Sequence, residues 1–189
     1  MDAVQAFGKY PIDVEKMKID MLTMSGHKIH GPKGVGALYI RNGLRLKSII
    51  TGGHQERTKR GGTTNVAGIV GFATVFEIAD KKQEQNFKYV SGLRDHFIDR
   101  VLSEVPFVKL NGHRTKRLPA NADFSFDFIE GESILFSLDL AGISVSSGSA
   151  CSSGSLEPSH VLLALGLEEA LAHGSIRFSF GKHNTKEEV

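Results

Sequence analysis

Ser25-Gly26-His27-Lys28-Ile29-His30-Gly31-Pro32-Lys33-Gly34-Val35-Gly36 ends one short apolar run, which begins near Asp20, and leads into a second, Ala37-Leu38-Tyr39-Ile40. The stretch sets a lysine at a strand-to-turn edge, beside a histidine and a serine. An amine held there, among small and neutral donors, can form a Schiff base with a carbonyl cofactor. The plainer reading is a solvated lysine among turn glycines, so the rest of the chain decides between them. A phosphate-cradling P-loop is excluded. Gly31-Pro32-Lys33-Gly34 lacks the GxxxxGK[ST] spacing, and Pro32 removes one backbone donor.

Outward from this stretch, the periodicity predicts alternating strands and helices. Residues 2–5 read as a strand end, and Ile12 to Lys18 as a short helix opened by Pro11 and Asp13. Asp20 to Ser25 and Val35 to Ile40 read as strands, with Leu46 to Ile50 as a third. The βαβ-like rhythm points to an α/β layer with parallel strands. Gly52 to Thr63 is an irregular Gly-rich loop with basic residues. Asn65 is placed to cap a long helix that carries Val66, Ile69, Val70, Ala73, Phe76 and Ile78 and runs on, with a break, through Leu93, Phe97 and Val101.

Beyond about residue 104 the pattern changes to a small α+β domain. Phe107 to Leu110 and Ala122 to Phe128 read as strands, the second with Phe124, Phe126 and Phe128 on one face. Glu132 to Leu140 reads as a helix, Ile143 to Ser146 as a strand, Pro158 to Leu165 as a helix and Ile176 to Phe180 as a closing strand. The expected organisation is therefore a partial large domain over 1–75, a linking helix over 76–103 and a small domain over 104–189.

Composition narrows the function classes. The chain has 189 residues, 40% hydrophobic and 23% charged, which is ordinary for a globular protein. A net charge of +2 argues for neither a nucleic-acid partner nor a membrane surface. No apolar run reaches the roughly 18 residues of a membrane span. A single cysteine allows no internal disulfide, which fits a reducing compartment such as the cytoplasm. The eight histidines are scattered without HExxH or CxxC spacing, so no metal site is expected.

Two further motifs flank the lysine stretch: Asp2-Ala3-Val4-Gln5 upstream, and Ser146-Ser147-Gly148-Ser149-Ala150-Cys151-Ser152-Ser153-Gly154-Ser155-Leu156-Glu157-Pro158 far downstream. An Asp, a Lys and a Cys on a Ser/Gly loop, in that order, resemble the cysteine desulfurases. These are pyridoxal-phosphate (PLP) enzymes of the fold-type-I, class-V aminotransferase superfamily, which supply sulfur for iron–sulfur clusters. The resemblance runs along essentially the whole chain. It implies the C-terminal part of a fold-type-I PLP large domain, followed by a small α+β domain.

The resemblance also assigns roles. Lys28 would hold PLP through its amine and then carry protons. Asp2 would keep the cofactor's pyridine nitrogen protonated, and Gln5 would contact its phenolic oxygen. Ser25 and His27 resemble the phosphate ligands, and Thr63 the ligand that reaches the phosphate site of a second subunit, which implies a homodimer. Gly61 departs from the serine common at that place. Arg177, in Ser175-Ile176-Arg177-Phe178-Ser179, points away from Ile176 and Phe178 by strand alternation. It resembles the arginine that pairs with the substrate's α-carboxylate. Cys151, on a loop without large apolar neighbours, resembles the thiol that takes sulfur from L-cysteine, leaves L-alanine and passes the persulfide to an acceptor or iron–sulfur scaffold protein.

In the family, the position of Met1 lies near the middle of the polypeptide. The resemblance thus implies about as many residues upstream and a short tail after Val189. It places the histidine that stacks on the PLP ring, a phosphate-binding threonine and a ring-contacting asparagine in that upstream half. Two other readings stay open at this point: a non-catalytic interaction module that has kept the motifs, and another class-V enzyme such as a selenocysteine lyase.

Overall fold

The computed structural model describes residues 1–147 and 158–189. The chain divides into two compact units, Met1–Asn86 and Phe87–Val189.

In the first unit, β1 (Met21–Ser25) and β2 (Gly36–Ile40) pair antiparallel, with Met21 opposite Ile40 and Ser25 opposite Gly36. The expectation of parallel neighbours fails for this pair. A 3-10 turn, Gly26–Ile29, occupies the connection, which is too short for a crossover helix. Among the described residues, β1 meets a parallel neighbour only in a single bridge between Asp2 and Thr23. Ala3, Ile19 and Leu22 are buried together, with Ile12, Val14, Met24 and Tyr39 packed around them.

Two local expectations do not hold. Residues 14–18 form turns rather than a helix, and Lys18 has a positive φ of 54°. Residues 46–50 form no strand, and Ile49 is 95% exposed.

The long helix is present and breaks at Lys82, giving α1 (Val66–Lys81) and α2 (Gln83–Glu104). Asn65 caps α1, its side-chain oxygen accepting from the Gly68 N–H at 3.0 Å. Asn65→Ala should lower stability by about 1 kcal/mol in a denaturant melt, and Asn65→Asp, which keeps an acceptor, should recover most of it.

The second unit is built on a four-stranded antiparallel sheet in the order β3 (Val108–Leu110), β4 (Asn121–Phe126), β6 (Ser175–Ser179), β5 (Ser146–Ser147). One face is apolar. Ala122 and Phe124 are fully buried there with Ile98 of α2, inside a ring of Phe97, Val101, Phe126, Phe178 and Phe180. Phe97 contacts the rings of Phe124, Phe178 and Phe180 at centroid distances of 6.0, 4.7 and 5.3 Å. Phe128 does not join this face. It lies beyond the end of β4 with φ 66°, exposed and edge-on to Phe107.

Helix α3 (Gly131–Leu140) lies where the pattern predicts it. Helices α4 (His160–Ala164) and α5 (Glu169–His173) bury Leu162, Leu167 and Ala172 in a satellite cluster. The pattern did not predict α5. Among the described residues, no helix is long and apolar enough to cross a membrane.

Candidate active site

The lysine turn is built by the end of β1. Thr23 donates its N–H to the Met1 carbonyl at 3.0 Å and accepts from the Ala3 N–H at 3.1 Å, so residues 1–3 run alongside the strand. This lays the Asp2 carboxylate beside β1, where its Oδ1 accepts from the Val4 N–H (2.9 Å) and the Thr23 hydroxyl (3.2 Å). Two residues further on, at Ser25, the chain leaves the strand and enters the 3-10 turn. Ser25 Oγ lies 2.7 Å from His27 Nδ1. Lys28 follows, half-buried, with His27 exposed beside it.

The turn is pinned at both ends. Gly31 N–H donates to the Gly26 carbonyl (2.9 Å), and Gly26 N–H donates to the Val35 carbonyl (3.0 Å). Glycine is required at 31 because a Cβ would stand 2.7 Å from Val75 Cγ1 of α1 and 2.9 Å from the Gly26 carbonyl oxygen. At 26 a Cβ would press on the Phe72 ring and Val35. The loop thus seats its backbone directly on α1, and Phe7 stacks on Phe76 of the same helix at 4.8 Å. Rigid seating of this kind fixes the direction of an amine far better than an open loop does.

A second amine stands near the first. Burial, and secondarily the positive charge of Lys28, hold the Lys9 ammonium below the usual lysine range. The Gly8 turn, with φ +70°, brings this segment against Ile29, where a Cβ on Gly8 would come within 2.7 Å of Ile29 Cγ2. Lys9 carries no local sequence signal beyond the glycine before it.

Gln5 is exposed on the turn that follows Asp2, and Thr63 is exposed on the loop leading into α1. The structure therefore sets Asp2, Ser25, His27 and Lys28 along one strand end, with Asp2 and His27 exposed there, and Gln5 and Thr63 are exposed as well. This donor set suits PLP: an amine for its aldehyde, a hydroxyl and an imidazole for its phosphate, and a carboxylate for its ring nitrogen.

In the second unit, Arg177 lies on β6, paired with Asp123 of β4 on one side and Ser146 of β5 on the other. It is half-buried, and its Nε is enclosed without a hydrogen-bond partner among the described residues. Burial raises the Asp123 carboxyl above the usual aspartate range. A hydrogen bond from Asn111 and the charges of Arg177 and Arg117 oppose that rise. Asp123 was not anticipated from the sequence. Cys151 lies outside the described residues.

The chain matches the aminotransferase class-V family over residues 1–189. It is 52% identical over 188 residues to "Cysteine desulfurase IscS" of Dictyoglomus turgidum, an alignment covering 100% of this chain and 48% of the relative. It is 51% identical over 189 residues to a "Cysteine desulfurase" of Nostoc sp., covering 100% and 47%. Among solved structures, a NifS-like protein superposes with a TM-score of 0.85 at 38% identity, covering 99% of this chain and 48% of that one. The NifS-like protein from Rickettsia africae gives 0.88 at 32% identity, covering 99% and 49%. The chain spans about half the length of the curated relatives it matches. Cysteine desulfurases and class-V aminotransferases are PLP-dependent, and this chain belongs to the aminotransferase class-V family, with the fold of its cysteine desulfurases.

Proposed function

We propose that this chain carries the C-terminal part of a PLP-dependent cysteine desulfurase. The observation that carries the reading is the Ser25–His27–Lys28 turn, seated on α1 at the end of β1 with the Asp2 carboxylate alongside the strand. Lys28 holds the cofactor and later returns a proton to the substrate's carbon. Ser25 and His27 grip the phosphate, with Thr63 reaching the site of a second copy in a homodimer. Asp2 would serve the ring nitrogen, and Gln5 the phenolic oxygen. Bound PLP supplies an electron sink for the α-carbon of an amino acid.

Arg177 pairs with the α-carboxylate of L-cysteine. The Cys151 thiolate attacks the substrate sulfur. An S–S bond forms as the C–S bond breaks, and the electron pair left on carbon, with a proton from Lys28, completes L-alanine. The persulfide then passes to a sulfur-acceptor or iron–sulfur scaffold protein in the cytoplasm, where a lone thiol stays reduced.

The relatives are about twice this length, and the resemblance assigns the ring-stacking histidine to a segment outside this sequence. The chain alone is therefore expected to release no L-alanine from L-cysteine. Supplied with that segment and PLP, it should develop a visible absorbance far from the protein aromatics and turn L-cysteine into L-alanine. Absence of both under those conditions would overturn the reading.

A further inference from the structure

The second unit carries a polar cluster on the sheet face away from α2. Strand alternation sets Asp123 and Ser125 of β4 and Arg177 of β6 opposite the Phe124 and Ile176 core face. Asp123 and Arg177 are direct cross-strand partners, so their Cβ atoms are about 5 Å apart. Asn111, just past β3, fastens the carboxyl. Its Nδ2 donates to Asp123 Oδ1 at 2.7 Å and to the buried Ser125 Oγ at 2.9 Å, and its backbone N–H donates to the Asp123 carbonyl at 2.8 Å. Swinging the carboxyl away would strand a buried amide donor. The Arg177 Nε, by contrast, is enclosed and has no hydrogen-bond partner among the described residues.

We propose that Asp123 is the positioning counter-ion of Arg177, competing with an incoming carboxylate for the guanidinium. The competition rests on the reading that Arg177 binds the carboxylate of an amino acid. A fixed negative charge beside an arginine directs its charged end and cancels part of the field that a ligand carboxylate would feel. The charged groups facing Asp123 are Arg177 from β6 and Arg117 from the segment after β3. Arg117 in turn stands near Arg94, Arg114 and Asp95. Because burial raises the Asp123 carboxyl, acid neutralises it before an ordinary aspartate. Carboxylate affinity at Arg177 should therefore rise as the pH falls through that titration.

Nuclear magnetic resonance on the 189-residue chain tests both halves. The Arg177 Nε signal should move with pH in step with the Asp123 carboxyl carbon and stay flat in Asp123→Asn, since arginine itself does not titrate in that range. A flat wild-type signal would overturn the proposal, and that arm needs no variant to fold. Acetate is the binding probe. Asp123→Asn keeps the acceptor for Asn111 and should bind acetate about threefold more tightly, the size of a partly screened charge pair. Acetate binding that persists in Arg177→Gln would remove the carboxylate role of Arg177, and the competition with it. Binding lost in Arg177→Gln but unchanged in Asp123→Asn would overturn the competition alone.

Discussion

Lys28→Ala, in the chain supplied with the upstream half that its relatives carry, should lose both the visible absorbance of bound PLP and all measurable turnover. Two functions disappear together: the amine that attaches the cofactor, and the base that moves protons at the substrate's carbon. Proton transfer by a positioned side chain alone is worth roughly 10²–10⁴-fold. His27 cannot stand in, since an imidazole forms no stable Schiff base and its Nδ1 is occupied by Ser25 at 2.7 Å. The backbone should be undisturbed, because the turn is held by Gly26, Gly31 and Val35 rather than by the lysine side chain. Absorbance and alanine formation, measured on the same sample, separate loss of attachment from loss of proton transfer. Normal turnover by Lys28→Ala would remove the lysine from the mechanism.

Cys151→Ser, again with the upstream half supplied, should separate cofactor chemistry from sulfur transfer. A hydroxyl is far less nucleophilic toward sulfur than a thiolate. The variant should therefore keep the visible absorbance and respond to added L-cysteine, while persulfide and alanine production fall to background. Alkylation after L-cysteine addition, followed by peptide mass analysis, should find an extra sulfur at residue 151 in the wild type only. Alanine formation at the wild-type rate by the variant would exclude the thiol from the reaction.

The parts of this fold legible in the sequence are those decided by near neighbours. Asn65 announces the start of α1 because its cap bond reaches only to Gly68. Ser25 and His27 are two residues apart and meet directly. The alternation in 175–179 places Arg177 away from the core, as found. Errors arise where local pattern and tertiary environment disagree. Leu46 to Ile50 is apolar enough for a strand, but the described residues offer it no paired edge, and a strand without a partner leaves its backbone unsatisfied. Pro11 and Asp13 resemble a helix start, and Asp13 does bind the Glu15 and Lys16 N–H groups, yet the segment turns back at Lys18. Helix α5 escaped notice because Glu168 precedes it without a capping bond. Lys9 and Asp123 were invisible for a different reason. Their importance comes from Lys28 and Arg177, groups far away in sequence that only folding brings near.

On the proposed reading, the Ser25–His27 contact also governs which hydrogens a phosphate would meet. When the ring is neutral and Nδ1 accepts the serine proton, the tautomer is set, and the opposite nitrogen, Nε2, carries the hydrogen. The serine hydrogen is then spent inside the pair, and a phosphate sees one donor. One hydrogen bond between near neighbours thereby decides which edge of the imidazole is left to donate.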